Sequence, residues 1–376
     1  MSYLYTKKEV LKMQGRPYEE QIDIMDAKIA EAFDISCGNI AVAFSGGKDS
    51  SMLMYRACRM WSIFYPNRPL KVFCNDTTIE YIGMIDFVKS FVKQMESLWG
   101  ITIDLEIQRP ANNETFISVI RREGLPLISK KTAKSVRKLK DLMRKYNVSY
   151  DEIVAWRKDL EYRNPDSLAI DIKQRFGGFN EPALFILGYT ARNRRLGSPF
   201  RIPNKWLPLL VAPFEVSSKC CEILKHGNVP ERFKDCTIMT GEMAEESEQR
   251  MASYRQTGCN QVGLNGGGKS KPMGPMTLQT VLRHIKEKNI PIFKNYGEIV
   301  EENGIYRTTG MYRTGCALCG FGMAYIPDRY KNYDDSERAR IKLAFKPISE
   351  GGLGYKEAFE YCNKYCGTNW YIPDVR

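Results

Sequence analysis

The sequence predicts an α/β fold: a doubly wound, mainly parallel sheet interrupted by a helical insertion. Three observations carry this. Short apolar runs of strand length alternate with helical stretches, the pattern of a parallel sheet with helices on both faces. The first such run passes straight into two glycines and a helix. Between about 125 and 205 the alternation gives way to a long, charged, helix-forming stretch.

Residues 18–34 set Ile22, Met25, Ile29 and Phe33 at helical spacing, which predicts a helix with one buried face. Residues 39–44, NIAVAF, form an apolar run ending at glycines. A helix is expected over 50–61, a second strand over 70–74, a helix over 79–98 and a third, alternating strand over 101–107. Residues 129–163 are helical and mostly basic. They read as a solvated surface or as a nucleic-acid-binding face. The strand pattern resumes over 235–241, and a helix over 276–288 ends before Pro291. The expected division is a discontinuous α/β domain over 1–125 and 205–327, a basic helical insertion over 126–204, and a helical cover with an aromatic tail over 328–376.

The composition fits a globular chain, with 43% apolar and 27% charged residues among 376. Lys and Arg total 56 against 44 for Asp and Glu, a net charge of +12. This excess suits nucleotides, nucleic acid, sulfate or phosphate groups, or simply marks a basic surface. The first residues lack the apolar core of a signal peptide, and no apolar run approaches a membrane span. A reducing, cytoplasmic setting and no membrane partner are therefore expected. There the 11 cysteines would bind metal or act in catalysis, not form disulfides. With His226 and His284 the only histidines, histidine-rich metal sites and a Ser-His-Asp triad are poor fits.

The loop Ser45-Gly46-Gly47-Lys48-Asp49-Ser50 stands between a strand and a helix. Two glycines allow a tight turn that brings backbone N–H groups against an anion. The helix N-terminus adds free donors and a positive dipole end. Lys48 adds a point charge, Ser45 and Ser50 add hydroxyls, and Asp49 can cap the helix or position a cation such as Mg2+. A plain glycine turn with an Asp cap is the simpler reading. A second glycine loop, residues 263–270 (GLNGGGKS), fits the Walker A pattern by letter. That motif must follow a strand and open a helix. Here no strand is expected before it, and Pro272 and Pro275 stand where the helix would begin. It reads as a flexible loop able to close over a ligand.

Cys220-Cys221 and Cys316-Ala317-Leu318-Cys319 form two pairs. Four thiolates suit a [4Fe–4S] cluster or zinc, and adjacent cysteines are unusual in structural zinc sites. Cys259 lies in a polar loop, and Cys362 and Cys366 lie four apart near the end of the sequence. Cys37, Cys58, Cys74 and Cys236 read as small apolar fillers.

The loop over 45–50 resembles the PP-loop of N-type ATP pyrophosphatases and the phosphoadenylyl-sulfate (PAPS) reductase superfamily. The Cys-Cys and distant Cys-x-x-Cys pairs resemble the cluster signature of adenylyl-sulfate reductases. The segment over 240–250 looks like that family's substrate-contacting strand end, and Lys288-Asn289-Ile290-Pro291-Ile292 followed by Thr314-Gly315-Cys316 resembles its ending. Asp76-Thr77 stands where the family has Asp-Thr-Gly, with Thr78 for the glycine. The layout looks closest to the phage- and mobile-element-borne branch. The resemblance implies a fold of the adenine nucleotide alpha hydrolase (PP-loop) type and an adenine nucleotide, whether ATP, adenylyl sulfate (APS) or PAPS. It implies nucleotide contacts at Ser45, Gly46, Gly47, Lys48, Asp49, Ser50, Asp76, Thr77, Gly241, Glu245, Ser247 and Arg250. It implies a cluster on Cys220, Cys221, Cys316 and Cys319.

The sequence departs from the family at Met243, where an Arg is usual. It departs again in the tail, where Cys366-Gly367 lacks the family's Glu, Leu and His. Cys366, or Cys259 in its place, is the expected nucleophile, with Lys48 and Asp49 assisting at the phosphates. Three activities follow as expectations. The first is a sulfonucleotide reductase drawing on a thiol reductant. The second is an ATP pyrophosphatase that adenylates a target, such as nucleic acid, for sulfur transfer. The third is a nucleotide sensor without chemistry.

Overall fold

Ile40-Ala41-Val42-Ala43 has no polar face to turn to water, and such continuous apolar runs suit strands covered on both sides. They form β1 (Ile40–Ala43), flanked in space by β2 (Leu70–Asn75) and β4 (Thr237–Met239). The other strands of the sheet are β3 (Ile103–Gln108), β5 (Asn260–Val262) and β6 (Gly268–Ser270). Their order across the sheet is β3-β2-β1-β4-β6-β5. All neighbours are parallel except β5 and β6, which are antiparallel. The structure is a computed structural model and describes residues 3–374, apart from 163–164, 179–180, 191–194, 197, 199, 226–227, 264–266, 325–328, 332 and 334.

Two compact units divide the chain. The first comprises Met1–Ala111 and Gly227–Ala317; the second comprises Asn112–His226 and Leu318–Arg376. The first holds the sheet with α1 (Lys7–Gln14), α2 (Tyr18–Ile35), α3 (Lys48–Phe64), α4 (Met84–Trp99), α5 (Glu248–Thr257) and α6 (Leu278–Glu287). Its core joins Met25, Ile29 and Phe33 of α2, Leu53, Ala57 and Trp61 of α3, and Val88, Phe91 and Met95 of α4 to Val42 and Val72 of the sheet. A hairpin of β7 (Ile299–Glu302) and β8 (Ile305–Thr308) follows. Asn303 and Gly304 turn it at φ 52° and 78°, the left-handed pair that a type I′ turn requires.

Several elements differ from the sequence expectation. Helix α4 begins at Met84, not at 79, because Thr78 and Gly83 hold φ of 66° and 86° and cannot propagate a helix. The end of the Walker-like stretch belongs to the sheet. A strand does precede it, and Gly268–Ser270 is itself a strand paired with β4. Leu264, Asn265 and Gly266 lie outside the described residues. A Cβ on Gly268 would meet Gln261 O at 2.1 Å, so glycine there serves close strand approach and not a phosphate. Cys58, Cys74 and Cys236 are buried, but Cys37 is exposed, at φ 51° in the turn after α2.

The second unit is mainly helical. Its longest helix, Lys130–Tyr146, buries Ala133, Val136, Leu139 and Met143. Lys140 on the same face is buried too, its ammonium donating to Ala212 O and Phe214 O at 3.0 and 3.1 Å. Lys131, Lys134, Lys138, Arg144 and Lys145 line the exposed side. Helices Arg338–Phe345 and Tyr355–Tyr365 pack through Phe345, Tyr355 and Phe359, and Phe359 packs on Trp370. No helix among the described residues is long and apolar enough to cross a membrane.

Candidate functional site

The chain leaves β1 towards β2 on one side and returns to β4 on the other. Open parallel sheets bind ligands at such a switch point, beyond the carboxyl ends of the diverging strands. Here that place lies between residues 44–47 after β1 and residues 240–246 after β4. The two loops touch. A Cβ on Gly241 would stand 3.3 Å from the carbonyl carbon and oxygen of Asp49 and from the N of Ser50. Glycine at 241 lets the second loop lie directly on the first turn of α3.

The loop after β1 has the geometry its sequence suggests. Gly46 takes φ 72°, and a Cβ there would fall 2.4 Å from Met84 Sδ. Gly47 is the N-cap of α3 and Lys48 its first helical residue. Ser45 and Ser50 face each other with Oγ atoms 3.1 Å apart. Ser50 Oγ donates to Gly47 O at 2.8 Å. Lys48 is 4% exposed and pairs with Asp49 Oδ2 at 3.1 Å. Its ammonium also lies 5.8 Å from the ring centre of Tyr296 and 5.6 Å from that of Tyr312, within cation–π reach of both. Asp49 Oδ1 is buried without a hydrogen-bond partner among the described residues, so one carboxylate oxygen is free to meet a cation or a donor.

After β2, Asp76 Oδ1 accepts the N–H of Thr78 at 2.8 Å, and Arg109 lies 3.4 Å from Oδ2. Thr77 is fully buried and its hydroxyl donates to Glu80 at 2.7 Å. The same hydroxyl is 3.6 Å from Cys316 Sγ, which brings one cysteine of the Cys-x-x-Cys pair to this edge of the sheet. Thr78 holds φ 66° where the resembled family has glycine. A left-handed backbone is thus held here by a β-branched residue and not by the glycine that adopts it most easily.

After β4, Met243 is buried in the core. Ser247 caps α5 by accepting the N–H of Arg250 at 3.2 Å, and Glu245 accepts the N–H of Leu278 at 2.6 Å. Both side chains are thus engaged at helix starts. Arg250 reaches Glu246, and burial holds its guanidinium below the usual arginine range; Glu242 and Asp49 counter this and Arg313 adds to it.

The cysteines fall into distinct settings. Cys259 is 6% exposed beside Tyr254 Oη at 3.6 Å, and burial pushes its thiol up, towards the protonated form. In the second unit, Cys220 and Cys221 lie on the short helix Lys219–Leu224. A hydrogen bond from Cys220 holds the Cys221 thiol below its usual range, with Lys130 and Lys225 assisting. Thiolate character of this kind suits a metal ligand. Cys319 lies just before the turn Gly320–Ala324. Cys362 and Cys366 are hydrogen-bonded to each other at the end of the last helix. This bond draws Cys366 down, Lys205 assists, and Cys362 is pushed up. Among the described residues no three His, Cys, Asp or Glu side chains are gathered in a metal-binding arrangement.

Several residues at this edge of the sheet escape sequence reasoning. Tyr296 Oη accepts the N–H of Lys48 at 3.2 Å and lies 2.8 Å from Thr314 Oγ1. Tyr312 and Arg313 come from the strap just before Thr314-Gly315-Cys316 and belong to no motif of their own. Lys271, just past β6, is buried; its ammonium donates to Thr257 Oγ1 at 3.0 Å, and burial holds it below the usual lysine range. No family model matches the chain, and no characterised protein matches it in sequence.

Proposed function

We propose that the chain is an enzyme acting on an adenine nucleotide, with the phosphates held between the loops after β1 and β4. The observation that carries this is the close seat of Gly241 on the first turn of α3, at the switch point, with Lys48, Asp49 and paired serines in the loop. Anions favour such helix starts. The nucleotide is adenine-based by the resemblance of the Ser-Gly-Gly-Lys-Asp-Ser loop.

The leading reaction is sulfonucleotide reduction. It needs a thiolate and a second thiol, and the Cys362–Cys366 pair offers both. The Cys366 thiolate attacks the sulfur of adenylyl sulfate or its 3′-phosphate form. An S–S bond forms as the S–O bond to the nucleotide phosphate breaks. Cys362 then attacks Cys366, sulfite leaves, and a disulfide remains for an external thiol to reduce. Cys220, Cys221, Cys316 and Cys319 are proposed as iron–sulfur ligands on their spacing and on the thiolate character of Cys221. A bound cluster would tune the electrostatics near the substrate.

A second reading, ATP-dependent adenylation of a target such as nucleic acid, is favoured by the unpartnered Asp49 oxygen, which suits a Mg2+-bound triphosphate, and by the basic face of helix Lys130–Tyr146.

The test is anaerobic purification, assay of iron and sulfide, and incubation with ATP, adenylyl sulfate and PAPS. Sulfite release establishes the reductase, and pyrophosphate release from ATP establishes adenylation. Failure to bind any of the three nucleotides refutes the assignment. Cys220→Ser and Cys319→Ser should each lose iron, and full retention in both removes them as ligands.

A further inference from the structure

We infer that Arg313, on the strap 309–315, is a binding residue for the terminal anionic group of the nucleotide, acting beside Arg250. The inference rests on the nucleotide reading above and deepens it.

Arg250 comes from the start of α5 and Arg313 from a loop more than sixty positions later, yet both guanidinium groups reach the same carboxylate, Glu246. That carboxylate is fixed by the turn after β4: it is 13% exposed and accepts the N–H of Met243 at 3.0 Å. One negative charge cannot neutralise two positive ones. The two arginines repel each other at this distance, and burial already disfavours charge on Arg250. Glu242 lies within electrostatic reach of both Arg250 and Lys271, and Lys269 is a further cation beside Lys271. With Asp49 and its partner Lys48 included, five cations (Lys48, Arg250, Arg313, Lys269 and Lys271) gather about three carboxylates (Asp49, Glu242 and Glu246). Folding alone gives no reason to gather such a surplus, whereas a multiply charged anion does.

The position fits. Asp49, in the phosphate loop, is within electrostatic reach of Arg250. The strap that bears Arg313 also bears Tyr312 over Lys48 and Thr314 against Tyr296 Oη. An anion starting at α3 and extending past Asp49 would meet the arginine pair with its outer charged group. Arginine suits this because its planar fork can bind phosphate or sulfate oxygens in pairs. The group recognised is tetrahedral and anionic; a β,γ-diphosphate and a sulfate both qualify.

The experiment measures affinity of the full chain for ATP, adenylyl sulfate and AMP in three forms: unaltered, Arg313→Ala and Arg313→Lys. Arg307→Ala, in the hairpin, controls for loss of one surface charge. Arg313→Ala should weaken ATP or adenylyl sulfate about tenfold, the size of one lost charge-assisted hydrogen bond, and leave AMP within about twofold. Arg313→Lys should recover only part. A loss confined to ATP assigns the arginines to the triphosphate, and one confined to adenylyl sulfate assigns them to sulfate. Equal weakening of all three ligands, or none, with the unaltered protein still binding, overturns this inference alone. An unaltered protein that binds none of them overturns the nucleotide reading as well.

Discussion

Replacing Gly46 by Ala tests the packing of the glycine loop after β1 through two separable costs. The first is backbone. At φ 72° an alanine sits in the left-handed region, which costs about 1–2 kcal/mol. The second is steric. The new Cβ would lie 2.4 Å from Met84 Sδ and 3.1 Å from Val88 Cγ2. Met84 is 1% exposed and packed with Tyr81, Phe293 and Tyr296, so it has little room to withdraw, and overpacking of this kind costs about 1–3 kcal/mol. Gly46→Ala should therefore destabilise by about 2–5 kcal/mol. Urea unfolding of Gly46→Ala, Met84→Ala and the double variant separates the costs. Removing Met84 relieves the overlap and leaves the backbone term. The double variant should be about 1–3 kcal/mol more stable than the sum of the singles predicts. Additivity within about 0.5 kcal/mol, the behaviour of independent sites, would refute the contact. A Gly46→Ala protein as stable as the original would refute both terms.

Lys48→Ala should abolish measurable nucleotide binding by calorimetry, since Lys48 is the only cation in the loop itself; unchanged affinity would remove the phosphate-loop assignment. Thr78→Gly should stabilise by about 0.5–1 kcal/mol in urea, because relief of a strained β-branched residue at φ 66° exceeds the extra chain entropy of glycine, and a loss of stability would contradict this. His284, buried and hydrogen-bonded to Tyr18 at 2.7 Å, is pushed down to about 4 by burial, with Arg56 and Lys288 assisting. Because the unfolded chain takes up that proton first, stability should fall as pH drops from about 6.5 to about 4, by about 3 kcal/mol at most. His284→Gln should flatten this part of the pH–stability curve, and identical slopes would show that another group is responsible.

The parts of the fold written in local signals were legible. Ile40 to Phe44 is apolar enough, and Gly46-Gly47 abrupt enough, to show strand, turn and helix in one stretch. The parallel strands at 70–75 and 103–108 fell within two residues of expectation. The strands Asn260–Val262 and Gly268–Ser270 were not legible, because they are short, lack the apolar run that marks Thr237–Met239, and owe their pairing to the rest of the sheet. Asn303-Gly304 was a readable hairpin signal, masked by flanking strands of four residues with none buried. At the site, Lys48 and Asp49 could be named from their neighbours in sequence. Tyr296, Arg313 and Lys271 could not, since only tertiary folding carries them to the carboxyl ends of the strands.

The interleaving of the two units sets the order in which the site can exist during synthesis. The glycine loop follows β1 and is made early; Gly241 and β4, which cover it, come only after the first segment of the other unit. At bacterial or eukaryotic elongation speeds this delay is roughly ten seconds or more. Through that interval one edge of β1 has no strand to pair with, and the floor of the crevice is open. An unpaired inner strand is a template for wrong partners. The chain is thus most exposed to misassembly while its proposed nucleotide site is half built, and slowing translation between 112 and 236 should lower the yield of folded protein more than slowing it after 317.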